Sequence, residues 1–187
     1  MRPFVDTNVV VYALTDQDPA KQVIAQRLLA ERGPARPSLS TQVLAETYAV
    51  LTRKQRWQAD DALAAVTLLK RLRVVALTPE TQLEALRLAV EHRLSGWDAM
   101  VVQAALQAGC DTLFSEDLQA GRRFGGLEVV NPFEPGAREA GAAGDEGLRA
   151  PRPAAPRAAA AARPAPSAPS GPPARPAPAG RARRPRR

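Results

Sequence analysis

The chain has 187 residues and a formal net charge of +7, but that charge lies entirely at one end: residues 134–187 hold 11 Arg against 4 acids, while residues 1–133 are balanced. The high pI of 10.6 therefore describes the tail and excludes a basic face on the folded part, which is long enough to bury one core. A single cysteine, Cys110, excludes an intramolecular disulfide and argues against a cysteine-based metal site; the absence of a signal peptide and of any run of ~18 apolar residues predicts a cytoplasmic protein with no membrane partner.

Taken in order, Arg2–Val5 reads as a first strand, followed by the polar triplet Asp6-Thr7-Asn8. These three residue types cap helices well. An acid at the carboxyl end of an α/β strand also stands where such sheets bind ligands, and the triplet alone leaves both readings open. Val9–Leu14 is a short helix or a continued strand, and periodicity cannot separate the two. Asp18-Pro19 starts a helix with Val23, Ile24, Arg27 and Leu28 at helical spacing, ending at Gly33-Pro34. Arg36–Ser40 reads as a connector. A helix from Thr41 to Arg53-Lys54 places Val43, Leu44, Thr47, Val50 and Leu51 inward, with Glu46 on the border of that stripe.

Asp60-Asp61 open a further helix through Leu72, where their charges suit the positive end of its dipole. Val74–Leu77 is a short continuous apolar run, as expected of a strand buried on both faces. Thr78-Pro79-Glu80 starts the next helix, which carries Leu83, Leu86, Leu88 and Val90 and has His92 in its last turn as a helix-end cation. Ser95 and Asp98 have the spacing of a capping box, which explains an acid there without chemistry; the same position also aims Asp98 toward a neighbouring strand edge. Thr112–Phe114 is a buried strand with Ser115-Glu116-Asp117 just past its end, repeating the situation of Asp6. Leu127–Val130 is the last strand. Strands separated by helices predict a parallel, three-layered α/β sheet. Ala, Pro and Arg dominate residues 134–187, a composition that predicts a disordered tail. Its arginines would attract phosphate backbones without sequence preference, or the tail is an extension of little consequence.

Asp6, Glu46, Asp98 and Asp117 can thus meet at one sheet edge. They offer only oxygen donors, which implies a hard cation, Mg²⁺ or Mn²⁺ as its substitute. Carboxylates gathered without a cation or shared protons repel by about 4 kcal/mol per pair at ~4 Å. A metal with open positions suits phosphodiester hydrolysis by water.

The motifs Phe-Val-Asp6-Thr-Asn, the isolated Glu46, Trp-Asp98-Ala and Leu-Phe-Ser-Glu-Asp117-Leu resemble, in order and spacing, those of the PIN-domain nucleases, in particular the VapC-type toxins of bacterial toxin–antitoxin pairs. The resemblance spans residues 2–133. It implies a Rossmann-like PIN domain over residues 1–133 and Mg²⁺-dependent endoribonuclease activity. It further implies Asp6, Glu46, Asp98 and Asp117 as catalytic metal ligands, with Thr7, Asn8 and Ser115 as supporting residues. Of the adjacent acids it favours Asp117 over Glu116. The partners it implies are an RNA substrate, a small cognate antitoxin and a second copy in a homodimer. The tail after Phe133 departs from the family pattern. The alternative is a non-catalytic RNA- or protein-binding module on the same fold that uses the Arg-rich tail. A dehalogenase-type phosphohydrolase would want a D-x-D pair, and a receiver domain an acidic pair with a later lysine; neither set is present.

Overall fold

The computed structural model describes residues 1–134, and the expectations for the tail, residues 135–187, lie outside this range. The strands β1 (Pro3–Val5), β2 (Ser38–Ser40), β3 (Arg73–Val75), β4 (Thr112–Phe114), β5 (Arg123–Phe124) and β6 (Leu127–Val130) form one sheet in the order β3-β2-β1-β4-β6-β5. All neighbours pair in parallel except β5 with β6, whose two-residue turn uses Gly125 at φ +57°, a conformation that favours glycine. The helices are α1 (Thr7–Leu14), α2 (Pro19–Ala30), α3 (Thr41–Arg53), α4 (Ala59–Leu68), α5 (Pro79–His92) and α6 (Gly96–Gln107). Right-handed crossovers in this strand order place α1–α4 on one face and α5–α6 on the other. Most helix contacts follow that division, with α1 on α2 and α3, α3 on α4, and α5 on α6; α3 and α6 also touch. Phe4, Val5, Leu39, Leu113 and Val129 are fully buried at the centre. Among the described residues, no helix is long and apolar enough to cross a membrane.

Several expectations change. Val9–Leu14 belongs to helix α1, capped by Asp6 through the Thr7 amide. The stretch read as a connector contains β2, whose Ser38, Leu39 and Ser40 are all buried. A three-residue strand with one apolar side chain leaves no pattern to read, and the small serines fit because β1 and β3 close in on both sides. The strand after residue 72 is shorter than expected and lies at the sheet edge; Arg73 is exposed and Val74 and Val75 only half-buried. A charged side chain there discourages pairing with another chain. Helix α4 ends at Leu68, and a single 3₁₀ turn covers residues 69–71.

On α2 the deepest residues are Ala25 and Leu29, and Val23 is exposed. On α5 they are Thr81 and Ala85, while Leu83, Leu86 and Val90 face outward. The small Ala25 and Ala85 let these helices approach their neighbours closely, while Leu29 of α2 and Leu88 of α5 supply the larger side chains packed on the core.

Candidate metal centre

The chain runs outward from β1 to β2 and β3, then returns to add β4 on the other side of β1. The crevice beyond the carboxyl ends of β1 and β4 is therefore the topological switch point, where open α/β sheets bind ligands. The Asp6 amide continues the pairing by donating to the Phe114 carbonyl at 3.0 Å. Asp6 and Ser115 thus leave adjacent strands side by side.

Ser115 is the hub. Its buried hydroxyl donates to Asp6 Oδ2 at 2.7 Å and accepts from the amides of Asp117 at 3.2 Å and Leu118 at 3.3 Å. Asp6 Oδ1 accepts from the Thr7 amide at 2.6 Å. The Asn8 side-chain amide donates to Asp117 Oδ2 at 3.0 Å and more weakly to Asp6 Oδ2 at 3.3 Å, while its carbonyl oxygen accepts from the Glu116 amide at 3.3 Å. Thr7 Oγ1 donates to Glu46 Oε2 at 2.8 Å. One triplet, Asp6-Thr7-Asn8, thereby caps a helix and links the carboxylates of α3 and of the loop after β4.

Asp6 is only 7% exposed, and burial pushes its carboxyl up to about 6, against the lowering hydrogen bonds from Ser115 and Thr7; the charges of Asp117 and Glu46 push it further up. Glu46 and Asp98 are half-buried, and Asp117 is exposed. Among the described residues, no Lys, Arg or His forms an ion pair with any of the four acids. A buried carboxylate beside two more acids and without a cationic partner is unfavourable as it stands. An all-oxygen donor set of this kind fits a hard divalent cation. No three His, Cys, Asp or Glu side chains among the described residues stand close enough to enclose a metal; Asn8 bridges Asp6 and Asp117, and Thr7 bonds Glu46.

Asp98 is the least integrated. It lies in the first turn of α6, where its amide donates to Ser95 Oγ at 3.1 Å, and the reciprocal half of the capping box is not formed. Among the described residues no hydrogen bond joins its carboxylate to the other three acids; the residue before it, Trp97, is tied to α3 by Gln42, whose amide donates to Glu46 Oε1 at 3.0 Å and to the Trp97 carbonyl at 3.3 Å. Gln42 escaped the sequence reading. Its one signal there is a polar side chain within the inward stripe of α3, one turn before Glu46.

Glu116 turns away from Asp117. It pairs with Lys21, whose ammonium also donates to the Tyr12 hydroxyl and lies over the Tyr12 and Phe133 rings. The bond with Glu116 raises the Lys21 pKa. Lys21 has no sequence signal that ties it to this loop. Glu116→Gln is expected to cost far less cleavage activity than Asp117→Asn in an RNA cleavage assay, because only the Asp117 carboxylate meets Asn8 in the crevice. The reverse order would reassign the ligand.

A sequence model of the PIN domain matches residues 4–123. Among solved structures the chain is similar to VapC20 of Mycobacterium tuberculosis, a sarcin–ricin-loop-cleaving toxin, at 29% identity and a TM-score of 0.52 over 62% of this chain and 91% of that one. It is similar at 18% identity and a TM-score of 0.53 to a toxin–antitoxin complex from Klebsiella pneumoniae, over 71% of this chain and 99% of that one. A third likeness, at 19% identity and a TM-score of 0.51, is to VapBC2 of Rickettsia felis bound to a DNA fragment from its promoter, over 69% of this chain and 97% of that one; the last two bear on the fold alone. Comparison with curated proteins yields no match. With the family model matching residues 4–123, well over half of the chain, the chain belongs to the PIN-domain family.

Proposed function

We propose that this PIN domain is a Mg²⁺-dependent endoribonuclease acting as the toxin of a toxin–antitoxin pair. The observation that carries the reading is Asp6, a buried carboxylate at the switch point that shares its surroundings with Glu46 and Asp117 and has no cationic partner among the described residues. The likeness to VapC20 supports RNA as the substrate class. Asp6, Glu46, Asp98 and Asp117 would hold the metal, which when bound supplies an activated water and offsets charge on the phosphate oxygens. The protein's own part is positional. Ser115 and the Thr7 amide fix both oxygens of Asp6, Asn8 sets Asp117, and Thr7 with Gln42 holds Glu46.

A small antitoxin and a second copy of the chain are the proposed protein partners, in keeping with the toxin–antitoxin assemblies of similar fold. The outward Leu83, Leu86 and Val90 of α5 offer an apolar face for such a contact. The competing reading, a non-catalytic binding module, draws on the spacing of the acids by Asn8 and Thr7.

One assay separates the two readings: structured RNA and DNA of the same sequence, each incubated with the purified chain in Mg²⁺ or EDTA. RNA cleavage confined to the Mg²⁺ sample is expected; binding without cleavage in any sample would favour the module. Removing residues 135–187 is expected to leave the melting temperature unchanged and to weaken RNA binding most at low salt, as 11 arginines are lost. A large fall in melting temperature would show that these residues pack against the domain.

A further inference from the structure

Beside the acidic crevice, between α3 and the start of α6, runs a groove of about 450 Å³, within the size range of small-ligand sites. Ala45 and Ala49 of α3 form part of its lining with Leu77 and Met100, and Trp97 stands on it with 62% of its surface exposed. An indole left this open next to Asp98 contributes little to the core. Glu46 and Gln42 line the same groove, and Gln42 ties the Trp97 carbonyl to the Glu46 carboxylate. The backbone that carries the indole is thereby tied to the proposed centre.

Charge decides what part of an RNA strand fits here. Among the described residues no Lys or Arg lines the groove, and Glu46 is part of its lining. A phosphate would gain no counter-charge and would meet repulsion from Glu46, whereas a neutral planar base meets neither obstacle. Unpaired bases stack on exposed aromatic side chains, and each such contact strengthens binding appreciably. Gln82 stands on the rim, where its exposed side-chain amide has no hydrogen-bond partner among the described residues and can meet a base edge.

We propose that the Trp97 groove is a stacking subsite for an unpaired nucleobase adjoining the cleaved phosphodiester. The proposal rests on the ribonuclease reading above.

The test uses the full chain in a Trp57→Phe background, so that Trp97 is the sole fluorescent tryptophan, in EDTA to prevent cleavage. The probes are an oligoadenylate and an abasic ribose-phosphate strand of equal length, which presents the same charge to the arginines after Phe133. Oligoadenylate is expected to quench Trp97 and the abasic strand not to. Trp97→Ala should weaken oligoadenylate binding about tenfold and leave the abasic strand unaffected, with Trp97→Phe in between. Because Trp97 is mostly exposed, these variants should melt with the parent.

Equal quenching by both strands, or unchanged oligoadenylate affinity in Trp97→Ala, overturns the proposal. Quenching by an apolar peptide but not by RNA assigns the groove to a protein partner and also overturns it. Mg²⁺-dependent RNA cleavage, measured in parallel, separates the two levels. Cleavage with an unchanged KM in Trp97→Ala removes the subsite and leaves the nuclease standing. Absence of cleavage in every condition removes the nuclease and, with it, the assignment of the base to a cleaved bond.

Discussion

Asp6→Asn is expected to lower Mg²⁺-dependent RNA cleavage by about a thousandfold or more, in line with the loss of a preorganised electrostatic group at a reacting centre. Asp6 is the most buried of the four acids and the one whose amide is bonded to β4, at the Phe114 carbonyl. The asparagine oxygen can still accept from the Thr7 amide. Its Nδ2, however, would face the Ser115 hydroxyl, which already accepts from the Asp117 and Leu118 amides. The substitution therefore removes a charge and also disturbs the hub that positions Asp117. Circular dichroism and melting of the variant distinguish loss of chemistry from loss of fold. Cleavage that survives both EDTA and Asp6→Asn would sink the metal-carboxylate mechanism.

The parts of this centre legible in the sequence are those with local causes. An apolar strand followed by an acid marks Asp6 and Asp117, because the chain must leave a parallel strand at the ligand-binding edge. Asp98 is marked by Ser95, although only half of the expected capping box forms and the acid stands apart from the other three. Glu46 has no local motif; its place depends on Thr7, 39 residues earlier. Gln42 and Lys21 act only through partners brought in by the fold, and such residues leave no periodic trace.

The same distinction explains the fold. Helix starts at Asp18, Thr78 and Ser95 are set by local capping and appear as expected. The strand Ser38–Ser40 is held by its neighbours on both sides and by the burial of small side chains, neither of which a three-residue pattern expresses. The inner faces of α2 and α5 were set by close approach at Ala25 and Ala85, so their large aliphatic residues misled.

Without divalent cation, the protein is expected to become more stable as pH falls from 7 to 5, opposite to the usual acid destabilisation. The sign follows from Asp6. Burial pushes its carboxyl up to about 6 in the folded state, against an ordinary value of 3.8. Below the unfolded value both states are protonated and the buried charge costs nothing. As pH rises through the folded value the native state must ionise Asp6 in a dry site beside Glu46 and Asp117. A shift of about two pKa units corresponds to about 3 kcal/mol in full, of which roughly 1.3 kcal/mol falls between pH 7 and 5, or about 4 °C in melting temperature for a domain of this size. Hydrogen bonds hold the carboxyls of exposed Glu80 and, against the raising effect of burial, of half-buried Asp111 below their ordinary range, so their contribution belongs at lower pH.

Mg²⁺ should reverse the trend. At pH 7.5 it should raise the melting temperature by neutralising the charge that burial penalises. At pH 5 it must displace a proton from Asp6, and the stabilisation should largely vanish. Melting curves at pH 5, 6 and 7.5, with Mg²⁺ or EDTA, test both signs, and Asp6→Asn should flatten the metal-free profile. A metal-free melting temperature that falls steadily from pH 7 to 5 would mean that Asp6 is ionised at little cost. The crevice would then have no electrostatic need of a cation.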